Sequence, residues 1–273
     1  MDPVSSSPAQ PALRPQRELL IAWTLLLLDD REVHGYALHR CLLAARNDVR
    51  GTSVYRLLAK LDRDGLVASR WSRSVDGPPR HVYRLTDRGR SELREMADLI
   101  AATRDVYGAF VDAHADAVAR RGGDAVDEAS DPVSRETPDS EPVAAPPGQR
   151  PMRPHKELLI GWLLLLLDGG ATYGYDLRRA FDALRLSPDP AAIYRMLRRL
   201  EADKWVQSRW MSSSGGPRRR FYRLTGRGRR NLDEIAGLIA AIRDAHEGYL
   251  RAYSRRASSG ESPADGARCG AGS

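Results

Sequence analysis

Cysteine is almost absent from this 273-residue chain: only Cys41 and Cys269 occur. Neither belongs to a CxxC pair or a Cys/His cluster, which argues against a disulfide framework and against a zinc site. Long apolar runs are missing too. LLIAWTLLLL (19–28) and LLIGWLLLLL (158–167) are about half of what spans a bilayer, so they read as buried helices rather than membrane segments. The start, MDPVSSSPAQPALRPQ, has no basic stretch followed by an apolar core, so no secretory signal is expected and the cytoplasm is the expected location. Catalytic signatures are lacking as well: there is no GxSxG, no P-loop and no glycine-rich dinucleotide fingerprint. The histidines (His34, His39, His81, His114, His155 and His246) are scattered without metal-ligand spacing. An enzyme, a cofactor and a metal are all unexpected.

What is present is arginine and repetition. The formal charge is +7, carried far more by Arg than by Lys, and leans toward an acidic partner. The stretch VYRLLAKLDRDGLVASRW begins at Val54, and its near-copy IYRMLRRLEADKWVQSRW begins at Ile193. Glu18 pairs with Glu157, Tyr55 with Tyr194, Trp71 with Trp210 and Leu85 with Leu224, always 139 positions apart (157 − 18 = 139). About half the positions across 15–105 match their counterparts, the mark of an internal duplication. The copies are expected at 13–121 and 152–256. Between them, 122–151 is acidic and rich in Pro and Ser, and with 257–273 it reads as a disordered linker and tail. The positive excess sits in the copies, roughly +4 in the first and +10 in the second, against roughly −5 in the connector.

Each copy gives the same coarse order. A first helix, about Glu18–Leu28, is apolar nearly all round and hence central to a core. A second opens at Gly35-Tyr36 and runs to about Arg46. In the third, Val54, Leu57, Leu58 and Leu61 fall at i, i+3, i+4 and i+7, one apolar stripe, with Arg56, Lys60 and Arg63 around it. It ends near Asp64, where Gly65 can supply a left-handed cap. LVASRWSRS and RHVYRLT read as strands joined by the turn VDGPP, and Trp71 and Trp210 as strand-core residues. Thr86 and Thr225 are N-cap candidates for a last, long helix. On it Leu93, Met96, Ile100, Thr103, Tyr107, Phe110 and His114 recur at three- and four-residue steps, as do Leu232, Ile235, Ile239, Ile242, His246, Tyr249 and Tyr253. Such a seam outruns its own small domain and asks for another helix.

Three helices, a strand, a turn and a strand are the order of a winged helix-turn-helix domain. The fold class is therefore mostly α with small β-wings: two such domains, each followed by a long helix, paired as a pseudo-dimer. Both copies resemble the PadR family of bacterial transcriptional regulators. The resemblance rests on LLIAWTLLLLDDREVHGYAL, TSVYRLLAKLDRDGLV and GPPRHVYRLTDRGRSEL, matched by ATYGYDL, AAIYRMLRRLEADKWV and GGPRRRFYRLTGRGRRNL. It implies a dimeric regulator of palindromic operators, more often a repressor. The third helix would enter the major groove, the wing would follow the backbone or minor groove, and the C-terminal helices would pair. The pattern departs at Ser53, at the DPAA before Ile193, and at Lys204-Trp205, where a Gly-Leu is usual.

On that reading double-stranded DNA is the partner. The expected contacts are Tyr36, Tyr55, Arg56, Lys60, Arg73 and Arg80 in the first copy, and Tyr175, Tyr194, Arg195, Arg198, Arg199, Arg218, Arg219 and Arg220 in the second. Arginine on a groove helix can bond guanine O6 and N7 together, whereas wing arginines position the protein on phosphates. The bland reading of the tyrosines is a core ring with a satisfied hydroxyl. The duplication would build a dimer within one polypeptide and, since copy two is the more basic, would suit an imperfect palindrome. Pairing between chains, and a further homodimer, stay open. Trp23, Tyr107, Phe110, Trp162, Tyr249 and Tyr253 are a candidate effector pocket for a small molecule, or plain interface packing. The rival class is a protein-interaction or scaffold module, for which the outer face of the third helix would be apolar or acidic rather than basic.

Overall fold

The computed structural model describes residues 17–29, 31–45, 51–74, 77–123, 156–170, 172–184, 186, 188–213 and 216–260. Most of the expected linker and of the expected tail lie outside these residues; the linker's first two, Gly122 and Gly123, belong to the last helix of the first copy. The first copy comprises α1 (Arg17–Leu27), β1 (Val33–His34), α2 (Gly35–Ala44), α3 (Gly51–Arg63), β2 (Val67–Ser74), β3 (Gly77–Leu85) and α4 (Asp87–Gly123). The second repeats the order with α5 (Lys156–Asp168), β4 (Thr172–Tyr173), α6 (Gly174–Ala183), α7 (Pro190–Ala202), β5 (Val206–Ser213), β6 (Gly216–Leu224) and α8 (Gly226–Gly260). The fold is a winged helix-turn-helix domain twice over, each copy running on into a long helix.

Hydrophobic spacing explains the helical core. On α1 the buried residues are Leu19, Ala22, Thr24, Leu25 and Leu26, so the apolar surface extends well round the helix. Thr24 is tolerated there because its hydroxyl donates to the Leu20 carbonyl at 2.8 Å. On α3, Val54, Leu58 and Leu61 are buried and Leu57 partly so, as the stripe requires. On α7, Ile193, Leu197 and Leu200 do the same. Both helices end on a left-handed residue: Gly65 at φ 72° and Lys204 at φ 61°.

The sheets hold a strand that sequence reading did not anticipate. β1 pairs antiparallel with β3, Val33 opposite Tyr83, giving the order β1-β3-β2, and β4-β6-β5 follows in the second copy. Two residues carry no periodicity to detect. The turn read over VDGPP is also shorter than expected, since β3 already begins at Gly77; Val75 and Asp76 lie outside the described residues. Pro78 and Pro79 fit this strand because β1 pairs only with its far end, which leaves an edge beside them.

Trp71 and Trp210 are not strand-core residues. They are 69% and 64% exposed. Alternation does place Val67, Ser69 and Trp71 on one face, but helix cover ends partway along the hairpin. Val67 is buried, Ser69 bonds to Asp62 of α3 at 2.9 Å, and Trp71 lies beyond, its ring 4.7 Å from that of His81 on the neighbouring strand.

The described residues form two compact units, one made of those up to 102 together with those from 245 onward, and the other of those between 103 and 244. Each unit therefore contains one winged helix and the distal part of the other copy's long helix. In the first unit, Leu93, Met96 and Ile100 of α4 share a core with Tyr249 of α8. In the second, Tyr107 and Phe110 of α4 share a core with Leu232 and Ile239 of α8. Among the described residues no helix is long and apolar enough to cross a membrane.

Candidate nucleic-acid interface

The face of α3 opposite its buried stripe carries Tyr55, Arg56 and Lys60, all exposed, and α7 presents Tyr194, Arg195, Arg198 and Arg199 likewise. A half-exposed tyrosine on each helix is held in place by a glycine. A Cβ on Gly35 would lie 2.5 Å from Cε1 of Tyr55, and one on Gly174 would lie 2.8 Å from Cε1 of Tyr194. The Gly-Tyr pair that opens α2 and α6 thus has two tasks: the glycine admits the neighbouring ring, and Tyr36 or Tyr175 stands 66% or 57% exposed beside it. The third-helix tyrosines are not core residues.

The wing is fixed to the helices by a second shared device. The Thr86 hydroxyl accepts from the Gly89 amide at 3.0 Å and lies 2.8 Å from the Gly65 carbonyl and 3.0 Å from that of Leu66. Thr225 does the same with Gly228, Lys204 and Trp205. One threonine therefore caps the long helix and ties it to the turn that ends α3 or α7. The following glycine permits the approach: a Cβ on Gly89 would meet the Leu66 carbonyl oxygen at 2.1 Å, and one on Gly228 that of Trp205 at 2.2 Å.

The expected basic residues are not equivalent. Arg218 and Arg219 are exposed on β6. Arg220 is instead engaged: its Nε donates to Ser208 Oγ at 2.8 Å, its other arm pairs with Glu201 of α7, and its guanidinium lies 5.6 Å from the centre of the Tyr222 ring. It braces the wing against α7. Arg195 is paired with Asp189 at 3.3 Å, Lys60 with Asp64 at 3.6 Å and Arg199 with Asp203 at 3.9 Å, all exposed contacts of small worth that a phosphate could displace. Arg73 and Arg80 lie on β2 and β3, but their side chains fall outside the described residues.

The copies differ where strand meets helix. In the first, Arg70 pairs with Glu32 through both carboxylate oxygens, and these hydrogen bonds hold the Glu32 carboxyl below its ordinary range. The His81 ring nitrogen Nδ1 is 3.0 Å from the Tyr83 hydroxyl, and burial pushes the phenol of Tyr83 up. In the second, an open cleft of about 450 Å³ is lined by Tyr173, Tyr175, Tyr194, Tyr222 and Arg219 among others. Sequence reading missed Tyr173, which lies in a strand too short to show alternation, and Tyr222, which alternation marks only as a strand residue.

The six aromatic residues expected to share an effector pocket fall into two groups, one in each unit. Trp23 meets Tyr249 edge-on at 5.4 Å, and Tyr249 stacks on Tyr253 at 6.3 Å. Phe110 meets Trp162 edge-on at 5.4 Å, and Tyr107 joins the same core. Tyr107, Phe110 and Tyr249 are at most 1% exposed. This is how interface aromatics pack. Among the described residues no group of three or more His, Cys, Asp or Glu is placed to hold a metal ion.

Comparison with known proteins gives a consistent result. The sequence model of the Transcriptional regulator PadR-like family matches twice, at residues 24–95 and 163–234. Transcriptional regulator Rv3488 of Mycobacterium tuberculosis (strain ATCC 25618 / H37Rv) is 42% identical over 80 residues, which are 29% of this chain and 74% of that protein. Solved structures are similar over about a third of this chain. A PadR-like transcriptional regulator from Bacillus cereus strain ATCC 14579 is 25% identical, with a TM-score of 0.32, covering 35% of this chain and 93% of that one. A PadR family regulator from Eggerthella lenta DSM 2243 is 28% identical, with a TM-score of 0.31, covering 34% and 86%.

Proposed function

The chain belongs to the transcriptional regulator PadR-like family, and from that premise we propose that it is a sequence-specific DNA-binding repressor acting as a dimer within one polypeptide. The observation that carries the reading is the repeated exposed face of Tyr55, Arg56 and Lys60 on α3 and Tyr194, Arg195, Arg198 and Arg199 on α7, set beside a wing. A protein-binding face would be apolar or acidic there; these are basic. The recognition helices would enter successive major grooves about 34–36 Å apart, with Arg218 and Arg219 on phosphates. The composition of the compact units supports pairing within one chain, since each winged helix packs with the end of the other copy's long helix. An effector would act by entering one of the two aromatic groups around Trp23 and Trp162 and loosening that packing.

The test is selection of bound fragments from genomic DNA, then footprinting and a salt titration. The reading expects an imperfect palindrome about two helical turns long and affinity that falls steeply with salt as counterions are released. It also expects mutation of the half-site under α7 to cost more than mutation of the other. Enrichment without a shared sequence, or none at all, would overturn it. Light scattering of the intact protein should give the mass of one chain, 30.3 kDa; twice that mass at low concentration would reject the one-chain arrangement while leaving DNA binding in place.

A further inference from the structure

The ends of the two long helices differ more than the surfaces they pack on. From residues 103–123 of α4, the second unit receives Phe110, His114 and Arg121. At the corresponding positions α8 carries Tyr249, Tyr253 and Gly260. The second unit is shaped for the first set. A Cβ on Gly161 would lie 2.8 Å from Cζ of Phe110. The missing Cβ is what lets the Phe110 ring lie against this helix, so glycine at 161 admits the α4 residue. Ala22 holds the equivalent place in the first unit, where the incoming ring is Tyr249.

Charge adds an independent criterion. In the second unit His114 Nε2 is 2.8 Å from Asp233 Oδ1, and Arg121 Nη1 lies 3.6 Å from the same oxygen. Arg121 Nε stands 2.8 Å from Oδ2 of Asp168, an ion pair without hydrogen-bond alignment, while Arg229 donates to Oδ1 at 3.0 Å. The Asp168 side chain is 2% exposed, so a charge there depends on these partners. The end of α8 would offer this pair of acids a phenol and a glycine. In the first unit the matching positions are Asp29 and Arg94, with Arg90 3.5 Å from Asp29. Bringing His114 and Arg121 there would set them beside Arg90, which is already shared between Asp29 and Asp87, and would offer them Arg94 where the second unit offers Asp233.

We propose that Gly161, Asp168 and Asp233 form a pairing code: the second unit accepts the end of the first copy's long helix and rejects the end of its own. The duplicated halves are therefore obligate unlike partners. This rests on the pairing described under the proposed function, but the code concerns which helix end is accepted, whether it arrives from the same chain or from another.

The experiment gives α4 of the intact chain the residues of α8, as Phe110→Tyr with His114→Tyr and Arg121→Gly. Amide hydrogen exchange is read at residues 103–123 and, as a folding control, at α5–α7. The code expects protection at 103–123 to fall about a hundredfold while α5–α7 keep theirs. Retained protection at 103–123 would overturn it. A charge reversal guards against simple misfolding: Asp233→Arg alone should expose 103–123, and adding His114→Asp should restore at least about tenfold of the protection. No restoration would reject Asp233 as part of the code. Failure of the one-chain reading would show separately, as the mass of two chains in the unsubstituted protein with 103–123 still protected.

Discussion

In the first unit, the end of α8 reaches Trp23 with Tyr249, on which Tyr253 stacks, and the nearby carboxylate Asp29 keeps its side chain one-quarter exposed. In the second, the end of α4 reaches Trp162 with Phe110, on which His114 stacks, and Asp168 is buried between two arginines. The same scaffold is closed by aromatic packing on both sides, with an ionic cluster added on the second. Identical subunits cannot diverge in this way, because each substitution appears on both sides of the interface. Duplication within a chain removes that restriction.

The difference can be made quantitative by substitutions at matching positions. Asp168→Asn should be the most costly, about 2–3 kcal/mol, because it leaves two guanidinium groups facing a neutral amide at a buried position. Asp29→Asn in the first unit, where the partner stands at 3.5 Å and the site is wetter, should cost under about 1 kcal/mol. Unfolding in denaturant gives both values, and equal losses would remove the contrast between seams. Next is the turn after the recognition helix. Lys204 sits at φ 61° where the first copy has Gly65, so Lys204→Gly should stabilise the protein by about 1 kcal/mol, measured as a higher denaturation midpoint. A destabilised Lys204→Gly would mean that the lysine side chain makes up for its backbone.

The smallest effect belongs to Tyr249. Its hydroxyl is buried without a hydrogen-bond partner, and the corresponding residue in the other seam is Phe110. Tyr249→Phe should therefore be neutral or stabilising by up to about 1 kcal/mol. Burial, and to a lesser extent Tyr253, pushes the Tyr249 phenol well above its ordinary value of 10.0. The neutral phenol is the form the fold prefers, so its contribution is complete below about pH 10 and is lost as pH rises through the folded value. The variant should lose less stability than the parent between pH 9 and 11, a range set by the ordinary tyrosine pKa of about 10. An unchanged alkaline profile would show that Tyr249 does not titrate with unfolding.

Much of this was legible in the chain because the duplication repeats every signal. The apolar stripe of α3, the caps at Thr86 and Thr225 and the left-handed Gly65 all follow from short-range rules that need no tertiary context. The three-residue and four-residue steps along α4 correctly asked for a partner helix. They could not say that Leu93 and Ile100 serve one core and Tyr107 and Phe110 another, because periodicity marks a buried face without naming what buries it. β1 was invisible for want of length. Trp71 and Trp210 were misplaced because alternation gives the face of a strand and not how far along it the helices reach. Arg220 read as a phosphate contact, and only the Glu201 beside it shows a brace.

Two kinds of glycine in each copy give the same one-carbon change opposite consequences. At Gly228 a methyl group would strike a backbone oxygen, which cannot retreat without dismantling the turn. At Gly174 it would strike only the far edge of the Tyr194 ring, which can swing aside. The first glycine guards whether there is a protein at all, while the second sets the angle at which an exposed tyrosine is presented. Selection acting on the second could retune target preference by a single methyl group, leaving the scaffold and every arginine untouched.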